Sequence, residues 1–250
     1  MKKINVAAVS YLNTVPFIYG IENSSIKEFI NLKIETPAKC AQLLIKDSVD
    51  IALIPVGALP QLRNYKIISE YGIGCDGAVN SVMLYSSIPI ESVNSILLDY
   101  QSVTSVNLIR ILCNKYWKVN PHFLDAETGF ENDIKNDVAG VVIGDRTFLM
   151  NEKFNYVYDL GKYWKEFTGL PFVFACWVSN KNLNPTFIEQ FNNALQSGID
   201  DLTSIAATID TTKFNHIDIH EYYTRYLSFR LTESHKKGMN LFLSYLEKLS

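Results

Sequence analysis

Short apolar runs that alternate with helix-like segments are the feature that most limits the fold of this chain. Residues 4–9 (INVAAV), 32–35 and 50–54 (DIALI) have the length and apolar character of buried strands. Between them, residues 16–21 suit a short helix, and residues 37–45 (PAKCAQLLI) suit a helix with proline in its first turn. This strand–helix rhythm predicts an α/β fold in which helices cover a parallel sheet.

The same rhythm starts again further along the chain. The predicted strands of this second set are residues 81–85, 95–99, 138–143 (VAGVVI) and 172–178 (FVFACWV). Residues 103–117 carry the apolar spacing of a strong helix. The remainder of the chain is predicted to be helical over residues 185–202, 217–228 and 232–249.

Two α/β sets in one chain of 250 residues predict two lobes, each a mainly parallel sheet flanked by helices. We place the first lobe at residues 1–86 and 176–250, so that it is discontinuous and includes the C-terminal helices. The second lobe is placed at residues 87–175. Residues 81–87 and 172–178 would join the lobes as a hinge. Chains built in this way close by hinge motion around a ligand in the cleft between the lobes.

Composition argues against several classes of protein. The net charge is -3 and no basic block stands out, so nucleic-acid binding is not expected. The sequence has no run of eighteen apolar residues, and Asn5, Ser10 and Asn13 interrupt the first apolar run before it resembles a signal peptide. The four cysteines form no CxxC pair and read as buried thiols of a reducing compartment. We therefore predict a cytoplasmic protein without a membrane partner.

Hydroxyl-rich turns follow two of the predicted strands, where ligands bind in open parallel sheets. The first turn is residues 10–14 (SYLNT), and the second is residues 100–105 (YQSVTS). Each turn opens a predicted helix, and free N–H groups, the helix dipole and hydroxyls together suit an anion. Simple helix capping by Ser and Thr is the alternative for each turn. Because one turn falls in each predicted lobe, we favour a shared anion site.

Two further loops are candidates for ligand contact. Gly144 and Asp145 follow the strand at 138–143, and Asp145 could instead cap the next helix. Residues 72–81 contain three glycines that would permit close approach of the backbone to a ligand. Neither a P-loop nor a GxGxxG order is present, so no nucleotide cofactor is expected.

Metal and nucleophile signatures are missing from the sequence. His216 and His220 have the spacing of one helical face, but no HExxH motif or carboxylate cluster accompanies them. No Ser-His-Asp or Cys-His pattern has a recognisable local signature. We therefore expect neither a metal site nor a cofactor.

Six motifs stand in order along the chain with the spacing of a known family. They are residues 9–16 (VSYLNTVP), 50–55 (DIALIP), 74–81 (GCDGAVNS), Asp99 with 102–105 (SVTS), 143–146 (IGDR) and 159–173. In these motifs the chain resembles the chorismate dehydratases of the futalosine route to menaquinone. Dihydroxynaphthoate synthase, the sister enzyme of that route, opens with a different motif that contains proline and cysteine. Val103 departs from the family pattern, which has a more polar residue there.

The resemblance implies a periplasmic-binding-protein-like (type II) fold with the ligand cleft between two lobes. It also implies that the small-molecule partner is chorismate, which loses water to give 3-[(1-carboxyvinyl)oxy]benzoate. By this interpretation, Asn13 and Ser81 touch the reacting centre. The further substrate contacts would be Ser10, Tyr11, Thr14, Asn80, Ser102, Thr104, Ser105, Gly144 and Asp145.

The motifs are rich in hydroxyls and amides but poor in groups that titrate near neutral pH. We therefore expect the enolpyruvyl carboxylate of chorismate to remove the ring proton, with Asp145 as the best alternative base on the protein. Two other functions stay open from the sequence. One is an enzyme of the same fold that acts on another intermediate of the pathway, as dihydroxynaphthoate synthase does, and the other is a non-catalytic protein that binds a small anion. Oligomeric state is not predicted.

Overall fold

The computed structural model describes residues 3–150 and 153–249 and arranges them around two mixed β-sheets. The strands are β1 (Ile4–Val9), β2 (Ile30–Glu35), β3 (Ile51–Pro55), β4 (Lys66–Cys75), β5 (Val82–Ser86), β6 (Ser95–Leu98), β7 (His122–Asp125), β8 (Val138–Ile143), β9 (Tyr156–Asp159), β10 (Phe172–Ser179) and β11 (Ser228–Arg230). The α-helices are α1 (Val15–Glu22), α2 (Pro37–Ile45), α3 (Thr104–Ile111), α4 (Leu160–Thr168), α5 (Pro185–Asp200), α6 (Leu202–Thr208), α7 (Ile219–Glu221) and α8 (Glu233–Leu246).

The first sheet has six strands in the order β11-β4-β10-β3-β1-β2. Strand β1 pairs in parallel with β2 and β3, as the alternation of apolar runs and helices predicts. Strand β10 then runs antiparallel between β3 and β4, so the sheet is mixed rather than mainly parallel. All five residues of β3 and all eight of β10 are buried, which explains their continuous apolar sequences. We call this sheet and its helices the first lobe.

The second sheet has five strands in the order β7-β6-β8-β5-β9. Strand β6 pairs in parallel with β7 and β8, whereas β5 runs antiparallel to β8 and β9. This sheet and its helices form the second lobe. The prediction of an α/β fold with two lobes is therefore confirmed, and both sheets are mixed.

The strand pairings move the lobe boundaries that the sequence suggested. Strand β5 was placed in the first lobe, but it lies between β8 and β9 in the second sheet. Strand β10 was divided at residue 175, but along its whole length it pairs in the first sheet. The chain therefore crosses between the sheets at residues 76–81 and 160–171. The backbone N–H and C=O groups of a fully buried strand need hydrogen-bond partners in neighbouring strands on both sides. These pairings place each strand in one sheet.

The glycine-rich segment at residues 72–81 is only partly a loop. Its first residues continue β4, which the sequence analysis did not predict. Gly72 lies against β10, where a Cβ atom would stand 2.6 Å from the carbonyl oxygen of Ala175. That glycine therefore serves close strand packing and not contact with a ligand.

The C-terminal region departs from the predicted helices between residues 217 and 228. A short α7 runs into a π-helical turn, Tyr222–Tyr226, and the edge strand β11 follows. Helix α8 then packs on the first lobe, where Phe242 contacts the ring of Phe172 edge-on at 5.2 Å. Within the described ranges, no helix is both long and apolar enough to cross a membrane.

Candidate functional site

A cleft between the two lobes gathers most of the residues that the motifs predict for the site. The predicted residues that line it are Tyr11, Asn13, Thr14, Ser81, Ser102, Thr104, Ser105 and Gly144. The residues of its wall that were not predicted are Val9, Pro37, Leu53, Pro55, Ile73, Val79, Val82, Val103, Ile143, Phe174 and Ala175. The space between these side chains, open solvent included, is about 530 Å³. The cleft is thus lined mostly by apolar side chains, with a few hydroxyl and amide groups among them.

Asn13 is held at the cleft by the turn that follows β1. Residues Leu12–Thr14 form a 3-10 turn that leads directly into α1. The Thr14 hydroxyl is fully buried and donates to Asn13 Oδ1 at 3.0 Å. This bond uses the amide oxygen, so the amide nitrogen of Asn13 is left to donate to other groups.

Ser81 is held by a buried carboxylate behind its loop. Asp159 Oδ2 accepts the backbone N–H groups of Val79 at 2.9 Å and of Asn80 at 2.7 Å. Asn80 adopts a left-handed conformation with φ of 59°, which turns the chain into β5. Burial raises the pKa of Asp159, and the N–H groups that it accepts oppose that rise. The loop therefore presents Ser81, 2% exposed, from a rigid base.

A second buried carboxylate organises the turn that follows β6. Asp99 accepts the N–H of Gln101 at 2.9 Å and the N–H of Ile143 at 3.0 Å. It also pairs with the guanidinium of Arg146, which in turn pairs with Glu131. Two carboxylates beside the cleft therefore neutralise the positive charge of Arg146.

Thr104, one of the predicted substrate contacts, joins the two lobes. Its hydroxyl donates to the carbonyl oxygen of Phe174 at 3.0 Å and accepts the N–H of Gly57 at 3.1 Å. Both partners belong to the first lobe, and Thr104 begins α3 of the second. The Tyr11 hydroxyl also reaches the side chain of Gln101 between the lobes. Thr104 and Tyr11 therefore connect the two lobes beside the cleft.

Three predicted contacts, Ser10, Asn80 and Asp145, are not among the residues that line the cleft. Ser10 is exposed. Asp145 neither caps its own helical turn nor faces the cleft, since its carboxylate accepts the N–H of Leu12 in the opposite lobe. Burial raises the pKa of Asp145 to about 6. Beside it, Gly144 has φ of 69°, and a Cβ atom there would stand 2.7 Å from the Tyr11 ring.

Tyr222 is a site residue that the sequence analysis missed. It is 2% exposed, and its hydroxyl donates to Ser81 Oγ at 2.9 Å. The side chain of Asn13 is the other polar neighbour of this hydroxyl. Ser81 and Tyr222 are separated by most of the chain, so no local pattern could reveal the contact. The only signal in the sequence was a pair of tyrosines in a predicted helix.

The chemistry available in the cleft is that of neutral hydrogen-bond donors. No Lys, Arg, His, Asp or Glu occurs among the lining residues of the described chain. An anion held here would be stabilised by hydroxyls, amides and backbone N–H groups in an apolar enclosure. Within residues 3–150 and 153–249, no group of three or more His, Cys, Asp or Glu side chains could hold a metal ion.

Comparison with known proteins decides the family. A model described as menaquinone biosynthesis matches residues 4–248. The chain belongs to the menaquinone biosynthesis family. A relative from Thermus thermophilus, named chorismate dehydratase, is 25% identical over 231 residues, which is 84% of each chain. The family predicted from the six motifs is therefore confirmed.

Solved structures confirm the fold of this menaquinone biosynthesis family member. A protein from Archaeoglobus fulgidus has a TM-score of 0.74 at 15% identity and covers 99% of this chain and 97% of its own. A Candida albicans protein with the generic periplasmic binding protein fold has a TM-score of 0.65 at 12% identity, covering 100% and 92%. The aliphatic sulphonate binding protein of Escherichia coli has a TM-score of 0.58 at 10% identity, covering 100% and 94%. These likenesses establish the periplasmic-binding-protein-like fold.

Proposed function

We propose that this protein is a chorismate dehydratase, a hydro-lyase that converts chorismate to 3-[(1-carboxyvinyl)oxy]benzoate and water. The family and the name of the Thermus relative support the assignment. We also propose that it acts in the cytoplasm on the futalosine route. Its four cysteines are buried and unpaired, which suits a reducing compartment.

The observation that carries the proposal is that Asn13 and Ser81 line one cleft without charged residues among its described lining, where Ser81 accepts a hydrogen bond from Tyr222. A solute-binding protein needs only to hold its ligand. Here two polar side chains come from separate segments and are fixed by buried partners, Thr14 behind Asn13 and Asp159 behind the Ser81 loop. Preorganised donors of this kind stabilise charge that develops in a transition state.

The reaction breaks two bonds of the chorismate ring. The ring carbon that carries the enolpyruvyl ether loses its proton, which leaves a carbanion-like intermediate. The electron pair of that carbon then forms a ring double bond as the neighbouring C–O bond breaks and hydroxide leaves. The proton and the hydroxide together make water, and the ring becomes aromatic. In this scheme Asn13 and Ser81 stabilise the carbanion-like intermediate and the departing hydroxyl through N–H and O–H donors. The apolar wall excludes bulk water, which strengthens both interactions.

The base in this proposal is the enolpyruvyl carboxylate of the substrate. Among the residues that the structure describes, the lining has no carboxylate or imidazole that could take the proton. Asp145, the alternative base on the protein, already accepts the N–H of Leu12 with both oxygens, at 3.0 and 3.2 Å. The protein would then act by fixing the conformer in which the carboxylate reaches the ring hydrogen.

Incubation of the purified protein with chorismate, followed by chromatography of the small molecules, tests the assignment. Formation of the benzoate product supports a dehydratase. Chorismate that binds and is recovered unchanged would instead indicate a binding protein. A lack of both binding and conversion would overturn the dehydratase assignment.

A further inference from the structure

Tyr222 occupies a position behind both residues that the proposed reaction uses. It is the first residue of the π-helical turn Tyr222–Tyr226, a type of helix irregularity that is frequent at functional sites. Its hydroxyl donates to Ser81 Oγ at 2.9 Å and has the side chain of Asn13 as a polar neighbour. One phenol group therefore lies beside both residues.

We propose that Tyr222 is a positioning residue that aims the hydrogens of Ser81 and Asn13 into the cleft. This inference rests on the proposed dehydratase function. The tyrosine hydrogen goes to Ser81 Oγ, so the Ser81 hydroxyl must direct its own hydrogen elsewhere. Its other partner, the carbonyl of Val79, lies 3.4 Å away, a long contact that a ligand oxygen can replace.

In this proposal the Tyr222 hydroxyl also orients Asn13. Its Oδ1 already accepts the hydroxyl hydrogen of Thr14. Its amide nitrogen is left to donate, and by this proposal one of its hydrogens goes to the neighbouring phenol oxygen of Tyr222. The second amide hydrogen of Asn13 is then fixed in direction and is left for the substrate.

The surroundings keep Tyr222 in one place and in its neutral form. Phe148 packs edge-on against its ring at 5.1 Å. The next residue, Tyr223, donates to the backbone carbonyl of Leu12 at 2.9 Å and ties the π-helical turn to the loop that carries Asn13. Burial is the main cause that raises the pKa of Tyr222, so its phenol keeps the hydrogen that Ser81 accepts. The C-terminal segment thus becomes part of the active site.

The test compares Tyr222→Phe with Tyr71→Phe in the full chain. Tyr71 is also buried, but its hydroxyl bonds Gln196 away from the cleft. Loss of one orienting hydrogen bond is expected to lower kcat about tenfold or more in Tyr222→Phe, with KM within about threefold. Tyr71→Phe should keep the wild-type kcat. An unchanged kcat in Tyr222→Phe overturns the proposal, as does a change confined to KM.

A double-mutant cycle separates positioning from general destabilisation. If Tyr222 acts through Ser81, Tyr222→Phe should change kcat less than about threefold in a Ser81→Ala background. A full and independent loss in the double variant would contradict action through Ser81.

A measurement without substrate keeps this inference separate from the proposed function. The side-chain amide signals of Asn13, assigned by comparison with Asn13→Asp, are recorded by NMR in the ligand-free protein. They should move in Tyr222→Phe and stay in place in Tyr71→Phe. If the wild type does not convert chorismate, the dehydratase assignment fails, and a shifted amide signal still supports the positioning role. An amide signal that stays unmoved overturns that role whatever the reaction.

Discussion

The carboxylate of Asp145 accepts the backbone N–H of Leu12 across the cleft, at 3.0 and 3.2 Å from its two oxygens. Each residue follows the end of a strand, Leu12 after β1 and Asp145 after β8, in different lobes. The bond therefore closes the cleft at the side of the turn that carries Asn13. The acceptor is the carboxyl group of Asp145, and burial raises its pKa to about 6.

The raised pKa of Asp145 predicts a pH dependence of stability. The folded protein holds this proton more tightly than the unfolded chain, so the carboxyl contributes most below its ordinary pKa. That contribution is lost as the pH rises through about 6. Asp145→Asn, whose amide oxygen can still accept from Leu12, should remove this part of the profile. Urea unfolding of both proteins between pH 4.5 and 7.5 measures it, and parallel profiles would show that Asp145 does not titrate as described.

The identity of the base predicts different outcomes for a changed substrate and a changed protein. A chorismate analogue with an amide in place of the enolpyruvyl carboxylate should bind and turn over at least about a hundredfold more slowly, the scale of lost acid–base catalysis. Asp145→Asn should retain kcat within about tenfold, since its acceptor oxygen remains. Initial rates with both give the answer. A dead Asp145→Asn together with near-normal turnover of the analogue would assign the base to the protein.

The proposal that Asn13 and Ser81 lie at the reacting centre predicts large losses of rate. Asn13→Ala and Ser81→Ala should each lower kcat by about ten- to a thousandfold, the range for losing preorganised donors. Ser244→Ala is the matched control, because the Ser244 hydroxyl donates only to the carbonyl of Leu241 within α8. Steady-state kinetics of the three variants checks this, and wild-type kcat/KM in both site variants would remove those residues from the reaction.

The double contact of Thr104 predicts an effect on lobe closure. Thr104→Val keeps the shape of the side chain but leaves the carbonyl of Phe174 and the N–H of Gly57 without their partner. We expect a loss of about 1–3 kcal/mol in unfolding free energy and a larger radius of gyration in the ligand-free protein. Small-angle scattering with and without chorismate measures the radius. Thr208→Val, at the end of α6, controls for the substitution, and a radius equal to that of wild type would argue against a closing role.

The sequence predicts much of the fold because buried strands and helices carry local patterns. Residues 37–45, 138–143 and 4–9 have the bounds that the structure gives to α2, β8 and β1. Strand β4 was not predicted, because its glycines read as a loop when the strand that packs against them is unknown. The lobe boundaries failed for a related reason, since a strand's sheet is decided by distant partners.

The candidate site, like the fold, could be predicted only in part from the sequence. The turns after β1 and β6 could be placed at the cleft because ligands bind beyond the carboxyl ends of strands, and the loop before β5 because it carries one of the six motifs. The role of Thr104 as a bridge and the bond from Asp145 to Leu12 depend on how two lobes meet, which a local motif does not encode. Tyr222 is the clearest case, since only the tertiary structure brings it to Ser81.

A time course of chorismate with the purified protein, followed by proton NMR, tests the central claim most directly. We predict that the ring signals of chorismate decay while the aromatic signals of 3-[(1-carboxyvinyl)oxy]benzoate grow in equal amount. The rate should be proportional to protein concentration and fall at least about tenfold with Ser81→Ala. Chorismate signals that persist at the rate of a protein-free sample, with the protein folded and at high concentration, would contradict the account.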